Sequence, residues 1–422
     1  MDAKKHISNI SSSPTLDMKI LLDNLIKDGK TIYNFGIGQS PFPIPESMVF
    51  QLSVSSHFNS YVSSQGLYQL RSQIADFYQK YTITTICPNQ IIIGPGSKEL
   101  LHLVQMVFDY DIIIPNPSWV SYIPQAKINS NNVLLLETTM ENNWKISPFE
   151  LEKILQNTNS KKMLILNSPN NPTGQVYTEY ELINISRVLR KYNALVLSDE
   201  IYSEFCFTQH YSIYKYYPEN TIICSGISKF LSAGGWRLGF LIFPTELNDY
   251  KDLVINIASE TYGSVSHPIQ LATIVGFDTK VISPYTHLCT KILIEISNYI
   301  YQVLIDNNIM VKKSMGAFYL FPNFNSKIKS IHLLHQYNSL HHTDISFCQW
   351  VFTKLLQETG IGVLPGTAFG RPSNELSCRI SFVDFDGTLL SNIGKTQIIN
   401  RNIIEYCPKI TQGINKLIQW WL

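Results

Sequence analysis

The sequence predicts an α/β fold: a large domain with a mostly parallel sheet flanked by helices, and a smaller α+β domain at the C-terminal end. The chain has 422 residues, more than the roughly 100–200 residues that one hydrophobic core usually serves. From about residue 90 onward, short apolar runs alternate with longer segments of helical pattern. That alternation is typical of successive βαβ units, so it indicates a parallel sheet covered by helices.

The apolar runs are the predicted strands. They are short, rich in β-branched residues and bounded by Gly, Pro or Asn, as expected for strands that are buried on both faces. They cover residues 91–93, 111–114, 133–136, 163–166, 194–197, 221–224 and 238–243. Connecting segments such as Glu179–Lys191 predict crossover helices.

Three further segments are assigned from other signals. Residues 1–13 are polar and rich in serine, and predict a loose arm. Ser13 and Pro14 then have the types preferred at the N-cap and first turn of a helix, which Gly29 would end. A long helix is predicted over residues 285–307, leading into the smaller domain.

Composition excludes several functional classes. With 33 basic and 32 acidic residues the net charge is +1. The chain therefore lacks the excess of positive charge that favours binding to nucleic acid or to an anionic membrane. Seven cysteines without a C-x-x-C pair indicate reduced thiols, with no disulfide framework and no metal site. The N-terminus lacks the pattern of a signal peptide, and no apolar run approaches the ~20 residues that span a bilayer. We therefore expect a cytoplasmic protein.

Polar motifs directly follow several predicted strands. Residues 94–98, residues 168–174, Asp199 and Tyr202 occupy such positions. Ligands in open α/β sheets bind at the carboxyl ends of the strands. The motifs therefore predict a site along that edge of the sheet.

The functional prediction depends on Lys229. Asn171, Asp199 and Tyr202 precede it in the chain, and Arg237 follows. A lysine amine can form a Schiff base with an aldehyde, a carboxylate can pair with a pyridinium nitrogen, and a guanidinium can hold a phosphate. These groups are the ones that a pyridoxal-phosphate site requires.

The motifs also occur in a known order. They are Gly96-Ser97-Lys98, Asn171-Pro172-Thr173-Gly174, Asp199-Glu200-Ile201-Tyr202, Ser228-Lys229 and Gly235-Trp236-Arg237. From about residue 33 to residue 385, the chain resembles the class I/II aminotransferases of the fold-type I pyridoxal-phosphate enzymes, the group that includes aspartate aminotransferase. One such motif would be weak, whereas several in the family's order are specific.

The resemblance implies a role for each motif residue. Lys229 would carry pyridoxal 5'-phosphate and move the substrate's α proton, while Asp199 would pair with the ring nitrogen. Tyr202 would assist by hydrogen-bonding the cofactor's 3′ oxygen. Arg379 would hold the substrate carboxylate with its bidentate fork. The remaining implied cofactor contacts are Gly96, Ser97, Lys98, Trp119, Asn171, Ser228 and Arg237, and the remaining implied substrate contacts are Gly38 and Phe318.

The resemblance also implies an assembly and a division into domains. Tyr61 would reach the phosphate held by a neighbouring subunit, which makes the expected enzyme a homodimer with composite active sites. Residues 1–45 would form an arm and helix that lie against the small domain. Residues 46–283 would form the large cofactor-binding domain, and residues 284–422 the small domain.

The implied function is a pyridoxal-phosphate-dependent aminotransferase that moves an amino group between an amino acid and a 2-oxo acid. A lyase or an enzyme like the cyclopropane-forming ACC synthase would use the same lysine, aspartate and arginine, so both remain alternatives. A non-catalytic regulator that binds the cofactor is a further alternative. Each motif also has a purely structural reading: Asp199 as a helix N-cap, Trp119 as a core side chain, Tyr61 as a residue at a helix start.

One motif is typical of a different enzyme family. Asp384-Phe385-Asp386-Gly387-Thr388-Leu389 matches the signature of haloacid-dehalogenase-type phosphatases. That fold needs a whole α/β domain after the motif, and too little chain follows it here. We expect Asp384 and Asp386 to lie in a turn after the strand that carries Arg379.

Overall fold

The structure is a computed structural model that describes residues 8, 10–156, 160–340, 345–395 and 403–422. Most of the predicted arm, residues 1–7 and 9, lies outside the described residues. The helices are α1 (Pro14–Lys27), α2 (Glu46–Ser55), α3 (Tyr68–Tyr78), α4 (Ser97–Val107), α5 (Tyr122–Ile128), α6 (Pro148–Gln156), α7 (Glu179–Lys191), α8 (Asn248–Thr261), α9 (His267–Ile274), α10 (Thr279–Asp306), α11 (Ile328–Ser339), α12 (Phe347–Thr359), α13 (Gly387–Lys395) and α14 (Pro408–Trp421). The strands are β1 (Tyr33–Asn34), β2 (Ile91–Gly94), β3 (Asp111–Asn116), β4 (Val133–Glu137), β5 (Lys162–Asn167), β6 (Leu195–Asp199), β7 (Thr221–Gly226), β8 (Gly239–Ile242), β9 (Tyr319–Leu320), β10 (Ile361–Gly362), β11 (Leu364–Pro365) and β12 (Cys378–Ser381).

The central sheet has seven strands in the order β2-β8-β7-β6-β5-β3-β4. Only β8 is antiparallel to its neighbours β2 and β7, so the predicted mostly parallel sheet is confirmed. Each of the seven apolar runs is a strand. Most of the strands continue one or two residues past the predicted carboxyl end, because polar residues such as Asn167 and Asp199 still take part in the ladder.

Alternating side chains of the strands fill two different cores. Ile112 and Ile114 of β3 contribute to the core under α4 and α8, whereas Ile113 contributes to the core under α6 and α7. All three are fully buried, and each such side chain stabilises the fold by about 1.5–3 kcal/mol. Burial on both faces explains why these strands are continuously apolar instead of alternating with polar residues.

Helix α7 has the predicted bounds, and a capping box defines its start. The Thr178 hydroxyl accepts a hydrogen bond from the Glu181 N–H (3.3 Å), and the Glu181 carboxylate accepts one from the Thr178 N–H (2.7 Å). This reciprocal capping box satisfies two N–H groups that would otherwise have no partner at the helix start.

Helix α10 begins six residues earlier than predicted, so the prediction of its start at residue 285 was wrong. Asp278 caps the helix by accepting a hydrogen bond from the Lys280 N–H (2.9 Å), and Pro284 lies inside it. A proline this near the start removes a single helical hydrogen bond, and the packed helix tolerates that loss. The predicted domain boundary between residues 283 and 284 therefore falls within one continuous helix.

Among the described residues, helix α10 comes nearest to the length and apolar character of a membrane span. Its 28 residues are long and apolar enough to cross a membrane by length and composition alone. One face of the helix, including Ile292, Ile296 and Ile300, is fully buried in the largest core of the protein. A core helix gives the same signal as a membrane span, because both need a wide apolar face.

Two small sheets lie outside the central one. β1 pairs in parallel with β10, and β11, β12 and β9 form an antiparallel sheet in that order. Asp384 follows β12, and its carboxylate accepts a hydrogen bond from the Asn34 N–H (2.8 Å). Asp386 accepts one from the Leu389 N–H (2.9 Å) at the start of α13. The two aspartates thus lie in the expected turn and serve structural roles there.

Candidate active site

A cavity of about 480 Å³ opens at the carboxyl ends of the central strands. The sheet register explains its position, since Asn167 of β5 lies beside Asp199 of β6, which lies beside Cys224 of β7. Predicted site residues that line the cavity are Gly38, Ser97, Lys98, Trp119, Asn171, Asp199, Tyr202, Ser228, Lys229, Arg237 and Arg379.

Lys229 lies in the loop after β7, and its part-buried side chain lines the cavity. The Nζ atom donates a hydrogen bond to the Gly38 carbonyl (2.7 Å) and lies 5.6 Å from the centre of the Tyr202 ring. Burial and the positive charge of Arg379 lower the pKa of Lys229 to about 8, although Asp199 acts in the opposite direction. About a tenth of this amine is therefore neutral at pH 7, far more than for a lysine with the ordinary pKa, and the neutral form is the one that acts as a nucleophile or a base.

Asp199 ends β6 and is 4 % exposed. Its carboxylate accepts hydrogen bonds from the Tyr122 hydroxyl (2.6 Å) and from the Ile201 N–H (3.2 Å). Burial nevertheless raises the pKa of Asp199 to about 6. Among the described residues none forms an ion pair with Asp199, and a buried carboxylate is costly without one, so a cation placed in the cavity would stabilise its charged form.

Arg379 of β12 contacts two other segments of the chain at the site. It donates hydrogen bonds to the Asn171 side-chain oxygen (3.0 Å) and to the Gly36 carbonyl (2.6 Å). Its Nε atom is buried and has no hydrogen-bond partner in the described part of the chain. Burial lowers the pKa of the guanidinium, yet an arginine stays charged in proteins. A buried arginine with an unused donor is suited to binding a carboxylate.

The part of the cavity at the start of α4 is positively charged. Gly96 is the N-cap of α4 with a φ of 93°, and a Cβ atom at this position would come within 2.3 Å of Arg237 Nη2. Lys98 lies in the first turn of α4, where burial and the charge of Arg237 lower its pKa. Free N–H groups at a helix start, two cations and the hydroxyl of Ser97 form a cradle for a phosphate.

Three predicted site residues do not line the cavity. Gly96 lies directly behind Arg237, as described above. Phe318 is buried with its ring edge-to-face against Tyr202, at 5.4 Å between ring centres, and 5.7 Å from Lys229 Nζ. Tyr61 is fully exposed and lies outside the cavity.

The sequence analysis missed two tyrosines of the site. Tyr122 donates to Asp199, and the Tyr319 hydroxyl lies 2.7 Å from the Tyr202 hydroxyl. Both residues are close in sequence to predicted ones: Tyr122 lies three positions after Trp119, and Tyr319 directly follows Phe318. Their positions indicated proximity to the site, but no sequence signal shows that a tyrosine hydroxyl will face a particular side chain. Ser13 and Thr15 at the start of α1 also line the cavity unexpectedly.

Comparison with known proteins identifies the family. The family model described as aminotransferase class I and II matches residues 30–386. The chain belongs to this family. The predictions of an aminotransferase and of the fold-type I architecture are thereby confirmed, and members of the family use pyridoxal phosphate to transfer amino groups between amino acids and 2-oxo acids.

Individual aminotransferases align along nearly the whole chain. An aspartate aminotransferase from Bacillus subtilis is 30% identical over 89% of this chain and 93% of its own length. An asparagine–oxo-acid transaminase from Streptococcus mutans is 28% identical over 93% of this chain and 98% of its own length. The structure of an aspartate aminotransferase from Thermus thermophilus with maleate superposes with a TM-score of 0.83 at 20% identity, covering 99% of both chains.

Proposed function

We propose that this aminotransferase binds pyridoxal 5'-phosphate in the cavity at the carboxyl ends of β5, β6 and β7, with Lys229 as its covalent attachment point. One observation carries the proposal: a part-buried lysine amine with a lowered pKa shares a cavity with the carboxylate of Asp199 and the guanidinium groups of Arg237 and Arg379. Each of the four has a matching group on the cofactor or on an amino acid bound to it.

The chain's own residues fit the cofactor. The cradle at the start of α4, completed by Ser228 and Arg237, would hold the phosphate. The Asp199 carboxylate would hold the ring nitrogen, and its raised pKa supports a strong preference for a cationic partner. Tyr202 and Asn171 would contact the phenolic oxygen, and the Trp119 indole would cover one face of the ring. When bound, the cofactor supplies an electron sink for the electrons released at the substrate's α carbon.

Once the substrate's amine has taken its place on the cofactor, the freed Lys229 would act on protons. With its pKa near 8, the neutral amine can remove the α proton of the substrate and return it at a neighbouring carbon. Arg379 would hold the substrate carboxylate, using the Nε donor that lacks a partner, and so fix the orientation of the α hydrogen. General acid–base catalysis by a positioned amine contributes about 10²–10⁴-fold to the rate.

Aspartate and asparagine are the amino donors that we propose first, because the aligned relatives carry those names. The side chains of Ser13, Thr15 and Gln39 at the cavity support a small polar substrate. We further propose a homodimer in which Tyr61 completes the partner's site; its full exposure in the single chain supports this role.

The division into an arm and helix (residues 1–45), a large domain (46–283) and a small domain (284–422) remains our proposal. The pairing of β1 with β10 supports packing of the N-terminal segment against the small domain. A cytoplasmic location, without nucleic-acid or membrane partners, is likewise proposed from the balanced charge and the seven free cysteines.

A half-reaction experiment tests the proposal. The protein loaded with pyridoxal phosphate is incubated with one amino acid at a time, and the cofactor's visible spectrum is followed. We expect pyridoxamine phosphate and the matching 2-oxo acid with aspartate or asparagine. Formation of pyruvate and ammonia would instead support a lyase, and a protein that stays colourless with the cofactor would refute the whole proposal. The Lys229→Ala variant should lose the visible band.

A further inference from the structure

A buried ion pair lies directly behind the site and has no part in the mechanism proposed above. Glu200, the residue after Asp199, faces His210 with 3.4 Å between Oε2 and Nε2. The side chains are 1% and 2% exposed, respectively. Buried charges at this depth are rare unless they are paired, because desolvation penalises each of them.

Glu200 is surrounded by donors that suit its anionic form. Its Oε1 atom accepts hydrogen bonds from the hydroxyl groups of Ser198 (2.9 Å) and Ser212 (2.5 Å). Since Ser198 precedes Asp199 and Glu200 follows it, this network encloses the carboxyl end of β6. The Glu200 N–H also bonds to the Cys224 carbonyl (2.9 Å), which ties the turn to β7.

The charge of Glu200 acts on the site. It raises the pKa of Asp199, adding to the effect of burial. Burial lowers the pKa of His210, but the contacts with Cys206 and Glu200 outweigh it and raise this pKa to about 9. This shift favours the cationic form of the imidazole at neutral pH, in which Nε2 donates toward the Glu200 carboxylate. The other titratable groups that face the pair or act on its neighbours are Tyr78, Tyr81, Cys206, Glu204 and Cys224.

We propose that His210 is a positioning residue whose positive charge neutralises Glu200, so that Asp199 acts as the single anion offered to the cofactor. The inference rests on the proposed function, in which Asp199 binds the ring nitrogen. Among the described residues that line the cavity, Asp199 is the only acid. An unneutralised carboxylate on the next residue would favour protonation of Asp199, because like charges at short range disfavour joint ionisation.

The test is the pH dependence of cofactor affinity. The dissociation constant of pyridoxal phosphate is measured from pH 5 to 8.5 for the wild type, His210→Gln and the double variant His210→Gln/Glu200→Gln. In the wild type, binding should weaken below about pH 8, as Lys229 takes up a proton, and again at a lower midpoint of about pH 6, as Asp199 does. In His210→Gln this midpoint should rise by about one pH unit. In the double variant it should fall to the wild-type value or below it, because the anion that raises the pKa of Asp199 is gone.

Two results would overturn the inference: a His210→Gln midpoint equal to that of the wild type, or a double variant as impaired as His210→Gln. As a matched control, Arg190→Gln removes the cation of the exposed pair with Glu219 (2.7 Å) and should leave the midpoint unchanged. If His210→Gln does not fold, NMR of the wild type decides, since an imidazole that is neutral at pH 7 contradicts the role. A wild type that binds no cofactor at any pH would instead refute the proposed function.

Discussion

Two buried groups of opposite type dominate the site at the scale of single residues. Burial lowers the pKa of Lys229 to about 8 and raises that of Asp199 to about 6. Both shifts have the same cause, because a low-dielectric environment disfavours whichever form is charged. Groups that titrate near neutral pH are typical of sites that move protons and bind cations.

The Asp199 shift predicts a trade-off between stability and cofactor binding. Its folded-state pKa lies above the ordinary value of 3.8, so the cofactor-free protein loses stability as the pH rises from about 4 to about 6. At 1.36 kcal/mol per pKa unit, the loss is at most about 3 kcal/mol above pH 6. Asp199→Asn should therefore stabilise the cofactor-free protein at pH 8 but not at pH 4, while weakening its affinity for pyridoxal phosphate.

Urea unfolding of the cofactor-free protein across this pH range provides the measurement. Asp252→Asn is the control, because Asp252 has a side chain that is 65% exposed. An Asp199→Asn variant less stable than the wild type at pH 8 would mean that the carboxylate is satisfied without a cofactor.

At the scale of secondary structure, the start of α4 combines two constraints. Gly96 needs a left-handed backbone conformation, and its missing side chain leaves room for Arg237. β8 pairs with β2, the strand that leads into α4. Arg237 lies in the segment between Lys229 and β8, and this pairing places it beside Gly96 at the start of α4. The cradle thus depends on strand order as well as on the residues of the loop.

Gly96→Ala should weaken the cradle. The new methyl group would displace the Arg237 guanidinium, so affinity for pyridoxal phosphate and for inorganic phosphate should fall about tenfold or more, as loss of a charged phosphate contact implies. Gly263→Ala separates this effect from backbone strain, because Gly263 also has a positive φ (69°) but nothing within 4 Å of the added Cβ.

Both variants should lose stability from backbone strain, measured by urea unfolding: roughly 1–2 kcal/mol for Gly263→Ala and about 1–3 kcal/mol for Gly96→Ala, whose φ of 93° and ψ of 156° are essentially restricted to glycine. Only Gly96→Ala should lose phosphate affinity, measured by competition between inorganic phosphate and the cofactor. Equal phosphate affinities in the two variants would contradict the assignment of the cradle.

At the scale of the whole molecule, the site is assembled from distant parts of the chain. Arg379 near the C-terminal end bonds to Gly36 near the N-terminal end and to Asn171 in the middle. The pairing of β1 with β10 brings the first of these segments toward the C-terminal part of the chain. Substrate binding is therefore sensitive to how these segments pack.

The proposed homodimer predicts complementation between two inactive variants. Lys229→Ala lacks the attachment lysine, and Tyr61→Ala lacks the residue that would complete the partner's site. A mixed dimer contains one site with both residues intact. Co-expression should therefore recover about a quarter of wild-type specific activity if the two chains pair at random, as measured in a steady-state transamination assay.

The control is a mixture of the two purified variants under conditions in which subunits do not exchange, which should stay inactive. Co-expressed chains with no more activity than Tyr61→Ala alone would show that Tyr61 serves its own subunit or has no role in the site.

Much of the architecture could be predicted because its signals are local. The apolar strands, the capping box of α7 and the glycine of the α4 loop follow from short stretches of sequence. Boundaries were less predictable where two local signals compete, as at α10, where Asp278 begins the helix in spite of Pro284. The hydroxyl contacts of Tyr122 and Tyr319 could not be predicted, because they depend on the placement of separate elements.

The sequence alone determined the family, the parallel sheet and the residues gathered at the candidate site, since the motifs have both the types and the order that the chemistry requires. Only the tertiary structure decided the electrostatic environment: the depth at which Lys229 and Asp199 are buried, the hydroxyl groups that contact them, and the pairing of Glu200 with His210. A side chain's charge state depends on its distance from water and from other charges. Those distances are set by packing between segments far apart in the chain.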